Sequence, residues 1–184
     1  MEKHKLSEYL DAEIPLIRNK KGVGKLISLL LAIHFQPSYD AIFMIRYCFF
    51  HANSKGITKP VQRYFRRKLV IKYGIFIEPN PCCTIGIGLS LPHPNSIVIG
   101  AGTNIGDNCV IYQNVTIGAK KRGNSQVDIY SYPKVGDNCV SYAGAVVLGA
   151  IDIEDGTQVG ANSVLICNTE KSSIYAGVPA VRKR

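Results

Sequence analysis

The stretch from Val135 to Glu170 reads VGDNCV SYAGAV VLGAID IEDGTQ VGANSV LICNTE and repeats every six residues. Four further hexads, IGAGTN IGDNCV IYQNVT IGAKKR, begin at Ile99. Ile, Val or Leu stands first in nine of the ten hexads, and small residues such as Thr, Cys, Val, Ala or Ser mostly stand fifth. Two inward side chains per six residues are typical of one face of a triangular tube, in which three hexads form a coil of about 18 residues. The repeat therefore predicts a parallel β-helix.

Gly, Asp and Asn recur between the inward positions of this repeat. They form the tripeptides Gly106-Asp107-Asn108 and Gly136-Asp137-Asn138, and they return at Asp155-Gly156 and Gly160-Ala161-Asn162. These residue types tolerate a positive φ at low cost, which tight corners require. We expect them at the corners of the tube.

The composition excludes several classes of protein. The chain has 184 residues, 46% of them hydrophobic, with 22 Lys+Arg against 13 Asp+Glu and a net charge of +9. This balance suits a modest folded domain and is too apolar for a disordered chain. The longest apolar run, Leu26 to Phe35, is well short of the roughly 20 residues that a spanning helix needs. The N-terminus also lacks a signal peptide, so we expect a cytoplasmic protein without a transmembrane helix.

The six cysteines show no paired CxxC spacing, which argues against a metal site and a secreted disulfide scaffold. We interpret them as buried small apolar residues.

The N-terminal region differs in charge from the rest of the chain. Residues 1–75 carry 14 Lys+Arg and 5 Asp+Glu, whereas residues 76–184 carry 8 of each. Tyr39 to Phe50 is rich in aromatic and apolar residues, and Thr58-Lys59-Pro60 is a helix start whose helix Gly74 would end. We therefore predict a basic α-helical region at 1–75, a β-helix domain at 76–181 with a protruding loop at about 119–132, and a basic tail at 182–184.

A cluster of basic residues lies in the last predicted helix of this region. It suits a solvated helix face, an anionic membrane surface, a phosphorylated carrier or nucleic acid, and we expect no nucleic acid. The cluster comprises Arg63, Arg66, Arg67, Lys68 and Lys72.

Residues 76–181, which close with AGVPA at Ala176 to Ala180, resemble the hexapeptide-repeat acyltransferases. Within that family the chain is most similar to serine acetyltransferases and to O-acetyltransferases of bacterial polysaccharides. The resemblance implies a left-handed parallel β-helix, acetyl-CoA as the donor and no required metal. It also implies a homotrimer, alone or as a dimer of trimers, with each active site in a cleft between neighbouring β-helices.

Acyl transfer to a hydroxyl needs a general base, and His93 is the one histidine in the repeat region. It interrupts the hexads in LPHPNSIVIG, where Pro92 and Pro94 stiffen the backbone. The stretch resembles DHATGIVIG, which holds the catalytic histidine of serine acetyltransferases. Glu78, fifteen positions upstream in IEPNP, stands where that family has an orienting aspartate in DIHP. The resemblance implies His93 as general base and Glu78 as the carboxylate that orients it.

The acceptor side departs from the serine acetyltransferase pattern. The Asp before the catalytic histidine is Pro92 here, and an Arg-His pair is replaced by Ser131-Tyr132. An amino acid's carboxylate and ammonium need charged partners when they leave water. We therefore expect a neutral, hydroxyl-rich acceptor, in contact with Pro92, Gln113, Tyr130 and Tyr132.

Three functions follow as expectations. The first is O-acetylation of a sugar in a capsular, exo- or lipopolysaccharide or its precursor. The second is serine O-acetylation for cysteine biosynthesis, and the third is a non-catalytic trimeric scaffold.

The donor side is expected along the protruding loop and the later corners. Lys120, Lys121 and Arg122 suit either the phosphates of CoA or a solvated turn. By resemblance, Ala119 supplies backbone donors near the thioester, and Ala143 and Ala161 mark corners along which pantetheine lies. The terminal Arg182 either contacts a phosphate or belongs to a disordered end. The predicted donor residues are Ala119, Lys120, Ala143, Ala161 and Arg182.

Overall fold

The computed structural model describes residues 4–52, 56, 58–78, 82–120 and 131–184. Lys121, Arg122 and Tyr130, to which we assign roles from the sequence, lie outside the described residues. The helices are α1 (Leu6–Glu13), α2 (Gly22–Phe35), α3 (Pro37–Phe50) and α4 (Thr58–Tyr73), with a 3-10 turn at Pro15–Ile17 between α1 and α2.

The helix boundaries follow the local sequence. Helix α4 begins at Thr58 with Pro60 in its first turn, and Gly74 adopts a φ of 63° directly after its last residue. A left-handed residue after a helix is a common stop, since glycine pays no Cβ penalty there. Helix α3 covers the aromatic stretch that we expected and begins earlier, at Pro37. The predicted helical region is thus present in the structure.

A buried ion pair fastens these helices to the first coil of the β-helix. Arg46 on α3 pairs with Glu13 at the end of α1, and both side chains are almost fully buried. The Arg46 guanidinium also donates to the carbonyl oxygens of Ile85 (2.7 Å) and Gly86 (2.5 Å). Glu13 accepts the backbone N–H of Leu89 at 2.9 Å. Because both charges are compensated, the helices are held in one position against the first coil.

Helix α2 packs one side against the other helices and exposes the other. Within the described residues, no single helix is long and apolar enough to cross a membrane. Helices α2 and α3 meet the length and composition criteria only when taken together, and the chain bends by 114° between them. The exposed large apolar residues of α2 are Val23, Leu26, Ile27, Leu30, Leu31 and Phe35.

Short strands from Phe76 onward form a left-handed parallel β-helix with three sheets. The first sheet has the order β1-β3-β6-β9-β12, the second β10-β7-β4-β2 and the third β14-β13-β11-β8-β5. All pairs are parallel except β13 with β14. The strands are β1 (Phe76–Ile77), β2 (Thr84–Ile85), β3 (Val98–Ile99), β4 (Asn104–Ile105), β5 (Val110–Ile111), β6 (Thr116–Gly118), β7 (Lys134–Val135), β8 (Val140–Ser141), β9 (Val146–Leu148), β10 (Asp152–Ile153), β11 (Gln158–Val159), β12 (Val164–Leu165), β13 (Ile174–Gly177) and β14 (Ala180–Arg182).

The interior of the tube is filled as the hexads predict. The first positions are buried, including Ile99, Ile117 and the exceptional Ser141. The fifth positions that the structure describes are buried as well, with Thr103 and Thr157 both at 0% exposure. The hexad pattern therefore identified the inward face of each strand.

Asparagine and glycine have different roles at the corners of the tube. Asn108, Asn138 and Asn162 adopt the positive φ, at 55°, 57° and 54°. Gly106 and Gly136 do not; a Cβ on Gly106 would lie 2.7 Å from the Gly136 carbonyl oxygen of the next coil. Both glycines lie at corners, as we expected, and they are needed there because successive coils approach closely.

Besides the corner of the predicted loop, two coil corners contain two extra residues each. The strand that starts at Val110 and the next one, at Thr116, start six residues apart. The equivalent positions in the preceding coil, Ser90 and Val98, are eight residues apart. The step from Phe76 to Thr84 also takes eight, against six from Val98 to Asn104. These two corners carry His93 and Glu78, in agreement with the register shift expected near His93.

The C-terminal residues close the last coil. Lys183 donates its backbone N–H to the Ile174 carbonyl at 2.7 Å, and Ile174 donates to the Arg184 carbonyl at 3.0 Å. The Arg182 guanidinium pairs with Glu170 at 2.6 Å. The alternative of a disordered tail is therefore wrong, since these backbone groups are paired along β13.

The cysteines are only partly buried. Cys48, Cys83, Cys109 and Cys139 are buried, as we expected, whereas Cys82 and Cys167 are exposed. Burial raises the pKa of the Cys48 and Cys83 thiols to about 12. Our interpretation of all six as buried residues is wrong for the two exposed ones.

Candidate active site

His93 lies in the enlarged corner between the third and the first sheet. Its side chain is exposed, and its carbonyl accepts the N–H of Asn95 at 2.8 Å. The hydroxyl of Ser38, at the start of α3, donates to the Pro92 carbonyl at 3.3 Å. The corner is thus held by the stiff Pro-His-Pro backbone and by the helical region, which leaves the imidazole at the surface.

An aromatic pair lies beside the imidazole. The Tyr112 ring centroid is 6.2 Å from that of His93, and Tyr112 stacks on Tyr142 at 5.5 Å. Each tyrosine follows the inward residue of its coil, in the position that Pro92 occupies in the first coil. We did not single out Tyr112 from the sequence, although its place directly after the inward Ile111 is a signal for an outward corner residue.

The same corner continues down the β-helix through several predicted site residues. Ser90, Val110, Val140 and Gln158 pair in register, so the residues three positions later share one corner. Backbone bonds join them: Gly144 donates to the Gln113 carbonyl at 3.0 Å and Asn162 to the Ala143 carbonyl at 2.9 Å. We call this column the histidine edge. It consists of His93, Gln113, Ala143 and Ala161.

Gln113 carries an unsatisfied group on the histidine edge. Its Oε1 is buried and accepts no hydrogen bond within the described residues. A buried acceptor without a partner is costly, and a ligand donor would relieve that cost. Ala143 and Ala161 add no side-chain bulk beyond a methyl group, so the backbone along the edge stays accessible.

Glu78 lies on a different corner, where the first sheet leads into the second. Ile77 pairs with Ile99 in the first sheet, so Glu78 lies beside Gly100, just after the first-sheet strands end. His93 precedes the start of these strands and therefore lies at a different corner of the tube. The carboxylate is exposed, and no hydrogen bond joins it to His93 in the described part of the chain. Within one chain the structure therefore does not bring the predicted base and its orienting acid together.

Glu78 lines a cavity of about 610 Å³ that we call the arginine pocket. The sequence assigned two of its other residues to the site, Ala119 and Tyr132. The wall opposite the β-helix is supplied by α4. The polar side chains of the pocket are Arg63, Arg66, Arg67, Glu78 and Tyr132, and the remaining lining residues are Val70, Ile75, Phe76, Ile77, Val98, Ile99, Gly100, Gly118 and Ala119.

Tyr132 is fixed in the pocket by close packing on Gly100. A Cβ built on Gly100 would overlap the edge of the Tyr132 ring. Gly100 is therefore required for the ring to approach this corner so closely. Tyr132 and Ala119 mark the two ends of the predicted loop at about 119–132, and both face the pocket.

The remaining predicted residues lie outside these two groups. Lys120 is exposed near Gly149, where a Cβ would lie 3.5 Å from the Lys120 Cβ. Arg182 is engaged with Glu170. Arg63, Arg66 and Arg67 appeared in the sequence as a basic cluster, but the sequence does not show that α4 turns them toward the same corner as Glu78.

A metal centre is not evident in the structure. Among the residues that are described, no three His, Cys, Asp or Glu side chains are grouped closely enough to hold a metal ion.

Comparisons of sequence and of structure give consistent results, although no protein-family model matches the chain. A serine acetyltransferase of Staphylococcus aureus is 41% identical over 105 residues, which cover 56% of this chain and 46% of that protein. A serine acetyltransferase of Staphylococcus epidermidis is 35% identical over 123 residues, which cover 64% and 55% of the two chains. The chain thus spans about half the length of the curated relatives that it matches.

Solved structures extend the similarity to nearly the whole chain. Serine acetyltransferase of Neisseria gonorrhoeae superposes with a TM-score of 0.75 at 24% identity, over 97% of this chain and 66% of that one. A serine acetyltransferase in complex with CoA gives a TM-score of 0.73 at 25% identity, over 96% and 69% of the two chains. The chain therefore has the fold of the hexapeptide-repeat acyltransferases and is related to the serine acetyltransferases.

Proposed function

We propose that the protein is an acetyl-CoA-dependent O-acetyltransferase. The observation that carries the proposal is the histidine edge, which places an exposed imidazole in line with the alanine corners Ala143 and Ala161. A base and an accessible backbone along one corner are what acyl transfer from an extended thioester requires. Relatives named serine acetyltransferases, one of them in complex with CoA, support the same activity.

The proposed reaction uses His93 twice. Its imidazole takes the proton of the acceptor hydroxyl while the hydroxyl oxygen forms a bond to the thioester carbonyl carbon. Backbone N–H groups such as that of Ala119 stabilise the resulting oxyanion. When the carbon–sulfur bond breaks, the imidazolium returns the proton to the leaving thiolate of CoA.

The proposed enzyme is a homotrimer. His93 and Glu78 lie on different corners of one chain, so a second copy must supply the partner if the two act together. A neighbouring β-helix that sets its Glu78 corner against the histidine edge completes the arrangement. Glu78 would then hold the tautomer of His93 and stabilise the imidazolium.

L-Serine is the acceptor that the relatives favour. They are serine acetyltransferases, which supports the second of our expectations better than the polysaccharide acetylation that we placed first. We therefore propose serine O-acetylation as the leading form of the activity.

A sugar hydroxyl is the second candidate acceptor, for a specific reason. Pro92 and Ser131-Tyr132 stand where the relatives' pattern has charged groups, and Tyr112 and Tyr132 offer ring faces near the two corners. Aromatic rings that stack on sugars do not need a charged ligand.

CoA release from acetyl-CoA tests the proposal. We would compare L-serine, glucose and glucose 1-phosphate as acceptors, with the wild type, His93→Ala and a matched control, His34→Ala. His34 is an exposed histidine on α2 whose ring contacts Phe35, and it does not line the arginine pocket. Acceptor-dependent release that His93→Ala abolishes and His34→Ala retains supports the proposal, and the active acceptor identifies its form. Equal rates in wild type and His93→Ala, or no release with any acceptor, would contradict the proposal and leave the scaffold alternative.

A further inference from the structure

Three arginines of α4 form one wall of the arginine pocket. Arg63, Arg66 and Arg67 stand three and four positions apart, a spacing that places side chains on one face of a helix. All three are exposed, and among the described residues none of them forms an ion pair. Among the described residues, Glu78 is the one acid that lines the cavity. The described lining of the pocket therefore carries three positive charges against one negative charge.

The three guanidinium groups that line the pocket together favour the binding of an anion. Guanidinium groups are always charged and present several donors in a fixed plane, which suits bidentate binding of phosphate or carboxylate. Three of them facing one cavity repel each other, and a bound anion would relieve that repulsion. The field of this helix reaches inward, since Arg66 acts to lower the pKa of Cys48 against the larger effect of burial.

The floor of the pocket is apolar and can receive the rest of a ligand. Phe76 and Val98 are exposed large apolar residues of the first sheet, and the Tyr132 ring lies on Gly100 beside them. The cavity of about 610 Å³ lies within the range of small-molecule sites, which pair an apolar lining with a few placed polar groups.

We assign the pocket to the acceptor side of the proposed site, with Ala119 in its lining at the point where the donor's thioester would meet the acceptor. Its lining comes from the coils of β1, β3 and β6, at the end of the β-helix where Glu78 lies. The alanine corners that we assign to the donor lie on the later coils of β8 and β11. Residues 131 and 132 are Ser and Tyr, so the charge that an anionic acceptor needs is missing there and is present on α4 instead.

We propose that Arg63, Arg66 and Arg67 bind an anionic group of the acetyl acceptor, either the phosphate of a sugar phosphate or the carboxylate of an amino acid. The inference rests on the proposed acetyl transfer only in identifying the bound molecule as the acetyl acceptor. The anion site itself stands on the geometry of the pocket. Under this proposal an anionic acceptor is preferred to a neutral sugar.

Equilibrium binding without acetyl-CoA tests the site directly. Titration calorimetry would use glucose 1-phosphate, L-serine and neutral glucose as probes on the full chain. The test variant is Arg63→Gln, Arg66→Gln and Arg67→Gln together. The matched control is Lys21→Gln, Lys134→Gln and Lys171→Gln, which removes the same charge at exposed positions outside the pocket. Circular dichroism would verify that both variants are folded.

We expect glucose 1-phosphate or L-serine to bind the wild type and the control, and glucose to bind neither detectably. The triple arginine variant should lose at least tenfold in affinity, since each lost charge-assisted contact is worth about that factor. Whichever anion binds identifies the source. Equal loss in the control, or no binding of either anion, would overturn the proposal.

Two further probes separate other occupants of the pocket. If the arginine variant loses affinity for CoA rather than for the two acceptors, the pocket belongs to the donor and the proposal is wrong. If it loses only its binding to vesicles of phosphatidylserine and phosphatidylcholine, the arginines face a membrane and the proposal is also wrong. Because the titrations involve no turnover, an inactive enzyme that binds the anion would contradict the proposed function and leave the anion site standing.

Discussion

His93 combines exposure with a constrained backbone. Pro92 and Pro94 flank it, Ser38 holds the preceding carbonyl, and the imidazole faces Tyr112 across the mouth of the corner. An exposed imidazole contributes little to packing, so its replacement separates catalysis from folding. The base and the residues that support it can therefore be tested one at a time.

Replacing His93 with Ala should lower acceptor-dependent CoA release by about 10²- to 10⁴-fold, the usual contribution of a general base. Glu78→Gln should cost less, because the amide still accepts a hydrogen bond but no longer stabilises the imidazolium. Steady-state kinetics with unchanged unfolding transitions would confirm both effects. A larger loss for Glu78→Gln than for His93→Ala would contradict the assigned roles.

The thiols give a residue-scale test of the buried interior. Cys82 and Cys167 are exposed, whereas the other four thiols are buried, and burial raises the pKa of Cys48 and Cys83 to about 12. A thiol reacts as the thiolate, so burial shields all four groups and also keeps Cys48 and Cys83 protonated. A chromogenic disulfide reagent should titrate two thiols in the native protein and six after unfolding. Rapid reaction of more than two native thiols would contradict the packing of the tube.

Between elements, one ion pair determines how the helices meet the β-helix. Arg46 binds Glu13 and two carbonyl oxygens of the first coil, and Glu13 also accepts the Leu89 N–H. The pair therefore joins α1, α3 and the coil that leads toward the His93 corner. Removal of one partner leaves the other charge buried without compensation.

Glu13→Gln should lower the free energy of unfolding by about 3–5 kcal/mol, the usual cost of breaking a buried pair. Lys25→Gln is the matched control, because Lys25 pairs with Asp11 at a partly exposed site, and it should cost less than about 1 kcal/mol. Urea denaturation would measure both. Similar costs for the two variants would show that the buried pair does not fasten the helices.

The corners of the tube carry a second element-scale prediction. Asn138 has a φ of 57°, a conformation that glycine adopts freely and alanine resists. Asn138→Ala should destabilise the protein by roughly 1–2 kcal/mol, and Asn138→Gly by less. Thermal unfolding of the two variants would compare them. A more stable alanine variant would show that the positive φ does not limit this corner.

On the scale of the whole molecule, the sequence predicted the tube better than the site. The hexads specify which residues point inward, so the three sheets and the buried Thr103 and Thr157 follow from them. Hexads do not say which corner an irregular residue occupies. Glu78 and His93 align in sequence with the acid and the base of the serine acetyltransferases. Within one chain, however, Glu78 follows the end of β1 and His93 precedes the start of β3, so they lie at different corners.

The arginine pocket was beyond the sequence for another reason. The spacing of Arg63, Arg66 and Arg67 predicts a basic helix face, but the direction of that face depends on how α4 packs. That packing is fixed by long-range contacts, including the hydrogen bonds that Gln62 donates to the Cys48 carbonyl and Tyr73 donates to Asp40. A local sequence pattern therefore predicts that this helix face is basic. Only the tertiary structure shows that the face lines the pocket.

Mixing two inactive variants tests the shared site most directly. Subunits with His93→Ala and subunits with Glu78→Ala would be unfolded, combined in equal amounts, refolded and assayed for CoA release. If each site takes His93 from one copy and Glu78 from the next around a closed trimer, random mixing should restore about a quarter of wild-type activity. The account predicts that recovery. A mixture no more active than the two variants refolded separately would contradict a site built from two copies of the chain.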